Sequence, residues 1–173
     1  MQNLLRHLLS FFKQERIDHA LIGAFALKAY GHVRATRDVD FLVRVKDQDK
    51  LVVYLESIGY ETLYRSNGFS SHLHPLSILG RINFVYVEGN TADLVFSEAK
   101  PLFVFDRLSI PVVKAEHLVA LKVFAMKNDP ERLYQEMADL YYLLKLPEID
   151  LEEVQRYFEK YGQLEKYIEL TEK

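Results

Sequence analysis

The chain of 173 residues predicts an α+β fold: a mixed β-sheet with flanking helices and a C-terminal helical annex. Three observations lead there. Helix-forming stretches alternate with short β-branched runs through the first half of the chain, the pattern of sheets covered by helices. Beyond Pro111 strand patterning gives way to four successive helical patterns. The length is that of one domain, for which roughly 100 to 200 residues is usual. Residues 1–173 are therefore read as a single domain, with a sheet-containing core over 1–113 and an annex over 114–173.

Leu4, Leu5, Leu8, Leu9 and Phe12 recur at helical spacing and predict an amphipathic first helix. Ala20-Leu21-Ile22, stopped by Gly23, reads as a buried strand, and Ala24 to Tyr30 as a helix ended by Gly31. Asp38 to Val45 is rich in β-branched and aromatic residues and predicts the second strand. Asp47 to Ile58 reads as a helix opened by an Asp cap. Glu61 to Tyr64, Ile82 to Val87 and Ala92 to Phe96 are further strands, the last two joined by a hairpin at Glu88-Gly89-Asn90. Ser66 to Ser77, with Gly, Asn, Ser and Pro, reads as the least ordered stretch. Ala115 to Lys127, Glu131 to Leu144, Leu151 to Tyr161 and Gln163 to Leu170 form the annex helices.

With no cysteine, the chain has neither disulfides nor thiolate metal sites, in keeping with a cytoplasmic location. No apolar run approaches the roughly 18 residues of a membrane span, and Arg6 and His7 interrupt the apolar start where a signal peptide would be continuous. A net charge of -3 argues against a long footprint on nucleic acid. Locally, however, Lys28, Arg34, Arg37, Arg44 and Lys46 outnumber Asp38 and Asp40, a balance suited to a polyphosphate.

The chemistry-bearing feature is that acidic pair. Side chains alternate along a strand, so Asp38 and Asp40 point to one face while Val39, Phe41 and Val43 point to the other. Two converging carboxylates repel, and a divalent cation removes the penalty. Magnesium, or Mn²⁺, is the natural occupant, since it takes a few carboxylate oxygens and completes its shell with water and phosphate. Taken alone, Asp-x-Asp also occurs at solvated strand ends. Its context is a strand that ends at Gly23 and leads straight into a helix, whose free N–H groups suit an anionic phosphate. Between the two features, Arg34-x-Thr36-x-Asp38-x-Asp40 adds positive charge and a hydroxyl.

Gly23-Ala24 followed by Arg34-x-Thr36-x-Asp38-x-Asp40 resembles the signature of the DNA polymerase beta nucleotidyltransferase superfamily, in its small bacterial branch. Glu116-His117-Leu118, Ala120-Leu121-Lys122, Arg132 and Glu136-x-x-Asp139-Leu140 resemble the AbiEii-like nucleotidyltransferases, which include toxins of toxin–antitoxin systems. The resemblance implies a nucleotidyltransferase fold and transfer of a nucleoside monophosphate from a nucleoside triphosphate to an acceptor hydroxyl on RNA, a protein or a small molecule. It implies Asp38 and Asp40 as metal ligands; Gly23, Ala24, Arg34, Thr36, Arg37, Lys122 and Arg132 as nucleotide-binding residues; and Asp139 as a further active-site carboxylate. The superfamily carries a third acid on a later strand, which Asp93 resembles, as metal ligand and as base toward the acceptor hydroxyl. The choice of base between Asp93 and Asp139 stays open. So does a simple structural pairing of Lys122 with Asp139, since a charge in the apolar run Leu118 to Val123 needs a partner.

Two positions depart from the family pattern. Ala24 stands where Gly or Ser is usual, and Glu136 where Asp is usual. These changes leave a rival reading, a non-catalytic, antitoxin-like binding module that kept the fold. His72-x-His74 reads as a pair of polar loop residues, and the tyrosines of the annex as half-buried core. Neither substrate nor oligomeric state is legible in one chain.

Overall fold

The computed structural model describes residues 2–105 and 108–172. These divide into two compact units, Met1–Val113 and Lys114–Lys173.

The first unit opens with α1 (Gln2–Glu15), whose Leu4, Leu5, Leu8 and Phe12 are buried, as their spacing predicts. It continues through β1 (His19–Ile22), α2 (Gly23–Ala29), β2 (Asp38–Arg44), α3 (Gln48–Ser57), β3 (Glu61–Arg65), β4 (Phe69–Leu73), β5 (Arg81–Val87), α4 (Gly89–Glu98), β6 (Lys100–Phe105) and β7 (Leu108–Val112). Among the described residues the strands form one mixed sheet of seven, in the order β3-β4-β5-β2-β1-β7-β6. At its centre β2 runs antiparallel to β1, with Ile22 opposite Asp40, and parallel to β5, with Asp40 opposite Asn83. One face of these strands is apolar: Val39, Phe41, Val43, Ile82 and Phe84 are fully buried. Phe12 of α1 meets this face edge-on, its ring 5.3 Å from that of Phe41. Phe11 of α1 stacks on Tyr54 of α3 at 3.7 Å. The opposite face of β2 carries Asp38 and Asp40, so the alternation of the sequence sorts core from site.

Four local expectations differ from the structure. Ala92 to Phe96 is not a strand but lies inside α4, and Glu88-Gly89-Asn90 is its N-terminus rather than a hairpin. The run is short enough to fit either period, and the helix is selected by burying Ala92 and Val95, three residues apart, while Leu94 stays exposed. Ser66 to Ser77, read as the least ordered stretch, contains β4, with Ser70, Ser71 and His72 buried. His72 is accordingly a sheet residue, not a loop residue. Asp47 stands at the N-cap position of α3, as expected, but a single 3-10 turn, Val45–Asp47, leads into the helix and Asp47 makes no side-chain cap bond. Finally, β6 and β7 went unread because Pro101 and Pro111 disguise them; the two prolines face each other across the pair, where β6 forms the edge of the sheet.

The second unit is helical: α5 (Ala115–Asn128), a 3-10 turn at Pro130–Arg132, α6 (Leu133–Leu143), α7 (Leu151–Lys160) and α8 (Leu164–Thr171). Asp150 caps α7 by accepting hydrogen bonds from the N–H groups of Glu152 and Glu153, and its own N–H donates to Glu116 of α5 at 2.8 Å. Hydrogen bonds from those two backbone N–H groups hold the Asp150 carboxyl below its usual range, the one from Glu153 contributing most. None of the described helices is long and apolar enough to cross a membrane.

Candidate active site

The site is built on β2. Asp38 and Asp40 project from one face, two residues and therefore roughly 7 Å apart along the strand, and both are half-buried. The approach to them is held by Thr36: its Oγ1 accepts from the N–H of Asp38 at 3.1 Å and lies 3.2 Å from the carbonyl of the same residue. This local turn brings the hydroxyl to the start of the strand.

Asp40 is positioned from both neighbouring strands. From β5, Asn83 Nδ2 donates to Asp40 Oδ1 at 2.8 Å. At the end of β1, the chain turns into α2 through Gly23, whose φ of +66° lies in the left-handed region. A β-carbon there would stand 2.2 Å from Asp40 Oδ2. Glycine is thus required twice over, by the turn and by the approach of the carboxylate to the backbone. Ala24, which follows it, is buried in α2.

Thr36 and Arg37, which lead into Asp38, line a cavity of about 420 Å³ together with Phe25, Ser77, Ile78 and Phe105. Phe25 of α2 and Phe105 of β6 have ring centroids 5.5 Å apart, and Lys28 Nζ lies 4.4 Å over the Phe105 ring. Aromatic surface, hydroxyls and a guanidinium therefore meet where the sequence enters Asp38, and none of the lining residues is acidic. Arg34 is half-buried on the same approach.

These residues fit a divalent cation. The carboxylates of Asp38 and Asp40 are hard oxygen donors, and the absent β-carbon of Gly23 lets Asp40 Oδ2 lie against the backbone at the start of α2. Asn83 Oδ1 is buried and has no hydrogen-bond partner among the described residues. Among the described residues no group of three or more His, Cys, Asp or Glu could hold a metal ion; Asp38 and Asp40 would be the acids of a cation site here.

Asp93 is not brought to this pair. It sits on α4, two-thirds exposed, and accepts from Arg44 Nη2 at 2.7 Å; Asp18 accepts from Arg44 Nε at the same distance. Arg44 is four residues beyond Asp40, roughly 13 Å along the strand. Hydrogen bonds from Arg44, first to Asp18 and then to Asp93, raise the guanidinium above its usual value. The residue beside Asp40 on the later strand is instead Asn83, which sequence reasoning missed. A polar residue between Ile82 and Phe84, in an otherwise apolar strand, was the available signal.

The remaining predicted residues cluster within the second unit. Lys122 of α5 donates to Asp139 Oδ2 at 2.5 Å and to Glu136 Oε2 at 2.8 Å, both on α6, and all three are buried. Arg132 pairs with the other oxygen of Glu136. Two cations and two carboxylates are thereby matched. The ammonium that the resemblance assigns to a nucleotide is held by carboxylates of its own unit, and Glu136, with the longer side chain, reaches both Lys122 and Arg132.

No family model and no curated protein matches the sequence. Solved structures do match in fold. The solution structure of the antibiotic-resistance factor ANT(2'')-Ia superposes with a TM-score of 0.71 at 11% identity, covering 96% of this chain and 94% of that one. The lincosamide antibiotic adenylyltransferase LnuA, bound to lincomycin, gives 0.58 at 14% identity over 84% of this chain and 98% of that one. ANT(2'')-Ia in complex with adenylyl-2''-tobramycin gives 0.57 at 10% over 98% and 94%. The protein therefore has the nucleotidyltransferase fold.

Proposed function

We propose that the protein is a magnesium-dependent nucleotidyltransferase that transfers a nucleoside monophosphate from a nucleoside triphosphate to an acceptor hydroxyl. The observation that carries this reading is the Asp38–Asp40 pair on β2, with Asp40 held by Asn83 and backed by Gly23. In the reaction the acceptor oxygen bonds to the α-phosphorus, the bond to the bridging oxygen breaks, pyrophosphate leaves, and the hydroxyl proton passes to a base. Magnesium, when bound, supplies positive charge against the phosphate oxygens. Asp38 and Asp40 would hold it; Arg37 and Arg34 would draw the polyphosphate to the strand end, and Thr36 would orient it by its hydroxyl. Phe25 and Phe105 offer a nucleobase or a planar acceptor a surface on which to stack. A cavity lined by Arg37 and no acid favours a neutral or anionic group over a polyamine.

A role for Lys122, Arg132 and Asp139 toward the nucleotide, a cytoplasmic toxin–antitoxin or phage-defence setting, and RNA or a partner protein as acceptor all rest on the AbiEii-like resemblance. One observation favours the rival, a non-catalytic binding module: the residue beside Asp40 on β5 is the amide Asn83 rather than an acid.

The experiment is transfer of label from an α-labelled triphosphate to total RNA or to a cell extract with Mg²⁺, comparing wild type with Asp40→Asn. Labelling by the wild type that Asp40→Asn abolishes supports the enzyme. Labelling that survives Asp40→Asn rules out the aspartate-pair mechanism. No labelling, and no rise in melting temperature with any Mg²⁺–triphosphate, selects the binding module.

A further inference from the structure

The row of residues across the sheet at Asp40 contains two polar atoms that the fold leaves unsatisfied. Across β2, β5 and β4 the register runs Asp40, Asn83, Ser71, and opposed residues of neighbouring strands share a face. Asn83 and Ser71 are only 8% and 5% exposed, yet among the described residues Asn83 Oδ1 and Ser71 Oγ have no hydrogen-bond partner. Buried polar atoms are normally paired, and two orphans side by side point to a ligand atom or a cation. Asn83 meanwhile spends its N–H on Asp40 Oδ1. The amide therefore does two things a carboxylate in its place could not: it donates to Asp40 instead of repelling it, and it presents a neutral oxygen.

Charge follows from this. With Asp38 and Asp40 as its acids the site carries two negative charges, which one divalent cation neutralises; a third carboxylate would leave a charge to hold a second. Resting on the metal-site reading above, we propose that Asn83 is a positioning residue that orients Asp40 and limits the nucleotide-free site to one divalent cation. A second cation then enters only with the triphosphate, which brings its own negative charge.

The test is titration of the nucleotide-free protein with Mn²⁺, following free Mn²⁺ by paramagnetic resonance, with folding checked by circular dichroism. Wild type is expected to bind one Mn²⁺, which Asp40→Asn removes. Asn83→Asp is expected to bind a second Mn²⁺, or the first at least tenfold tighter. Should three clustered acids keep Asn83→Asp from folding, Asn83→Ala carries the test: it loses the N–H that orients Asp40 and should bind Mn²⁺ at least threefold more weakly. Two Mn²⁺ bound by the wild type, or unchanged Mn²⁺ binding in folded Asn83→Ala, overturns the proposal; the latter would mean that Asn83 and Ser71 merely enclose a water. Mn²⁺ binding that is absent from the wild type, or indifferent to Asp40→Asn, overturns instead the metal-site reading beneath it.

Discussion

A β-carbon added to Gly23 would stand 2.2 Å from Oδ2 of Asp40, so the first turn of α2 and the central acid of β2 are fitted to one another. Gly23→Ala meets both this contact and a φ of +66°. Strain of this kind costs about 1 to 3 kcal/mol, and the substitution is expected to lower unfolding free energy by that amount in urea titrations. Because Asp40 must move to make room, the variant should also lose any rise in melting temperature with Mg²⁺ and a triphosphate. Unaltered stability with an intact ligand shift would show that the fit does not constrain the site.

Lys122→Met should act first on stability. It takes from the buried Asp139 and Glu136 the ammonium they share, and removing one partner of a buried pair costs about 3 to 5 kcal/mol. The double variant Lys122→Met with Asp139→Leu, which replaces charges by apolar groups, should recover part of the loss in denaturant titrations. Loss of label transfer in a folded double variant would add a role toward the nucleotide; unchanged transfer would leave the group as a fastening of α5 to α6.

For Asp93 the outcome should be mild. Its bridge to Arg44 is exposed and Arg44 keeps Asp18, so Asp93→Asn should cost at most about 1 kcal/mol. Mg²⁺–triphosphate thermal shifts should match the wild type, in contrast to Asp38→Asn. A lost shift would return Asp93 to the metal site.

Stability should also depend on pH through His72. Thr62 Oγ1 donates to Glu56 at 2.7 Å, so its oxygen accepts from His72 Nδ1 at 3.0 Å; Nε2 then accepts from Ser70, which accepts from Tyr86. That chain fits the neutral ring, and burial lowers the His72 pKa below 6.5; His19 is lowered for the same reason. The unfolded chain thus binds protons that the folded one refuses. Stability is full above 6.5 and is lost as pH falls through the folded values, by up to about 1.4 kcal/mol per pH unit for each such proton. Chemical denaturation from pH 8 to 5 should show the decline, and His72→Gln should flatten it.

What could be read directly from the sequence was what depends on neighbours along the chain. The alternation around Val39, Phe41 and Val43 separated the core face of β2 from the face of Asp38 and Asp40; the spacing of Leu4, Leu5, Leu8 and Phe12 marked the buried side of α1. Gly23 at a strand end announced a tight turn. Where two periods fitted equally well, as from Ala92 to Phe96, local pattern could not choose, and burial of Ala92 with Val95 made that segment a helix. The same holds for β4, whose Ser70 and His72 look like loop residues until Tyr86 and Thr62 satisfy them from adjacent strands. The tertiary structure alone put Asn83, not Asp93, beside Asp40, because the partner of a strand is set by sheet order and register, which link residues 43 positions apart. Sequence by itself determined the residue types and the face on which the acids stand; only the assembled sheet decided which side chains meet them, since hydrogen bonds between strands are contacts in space and leave no periodicity along the chain.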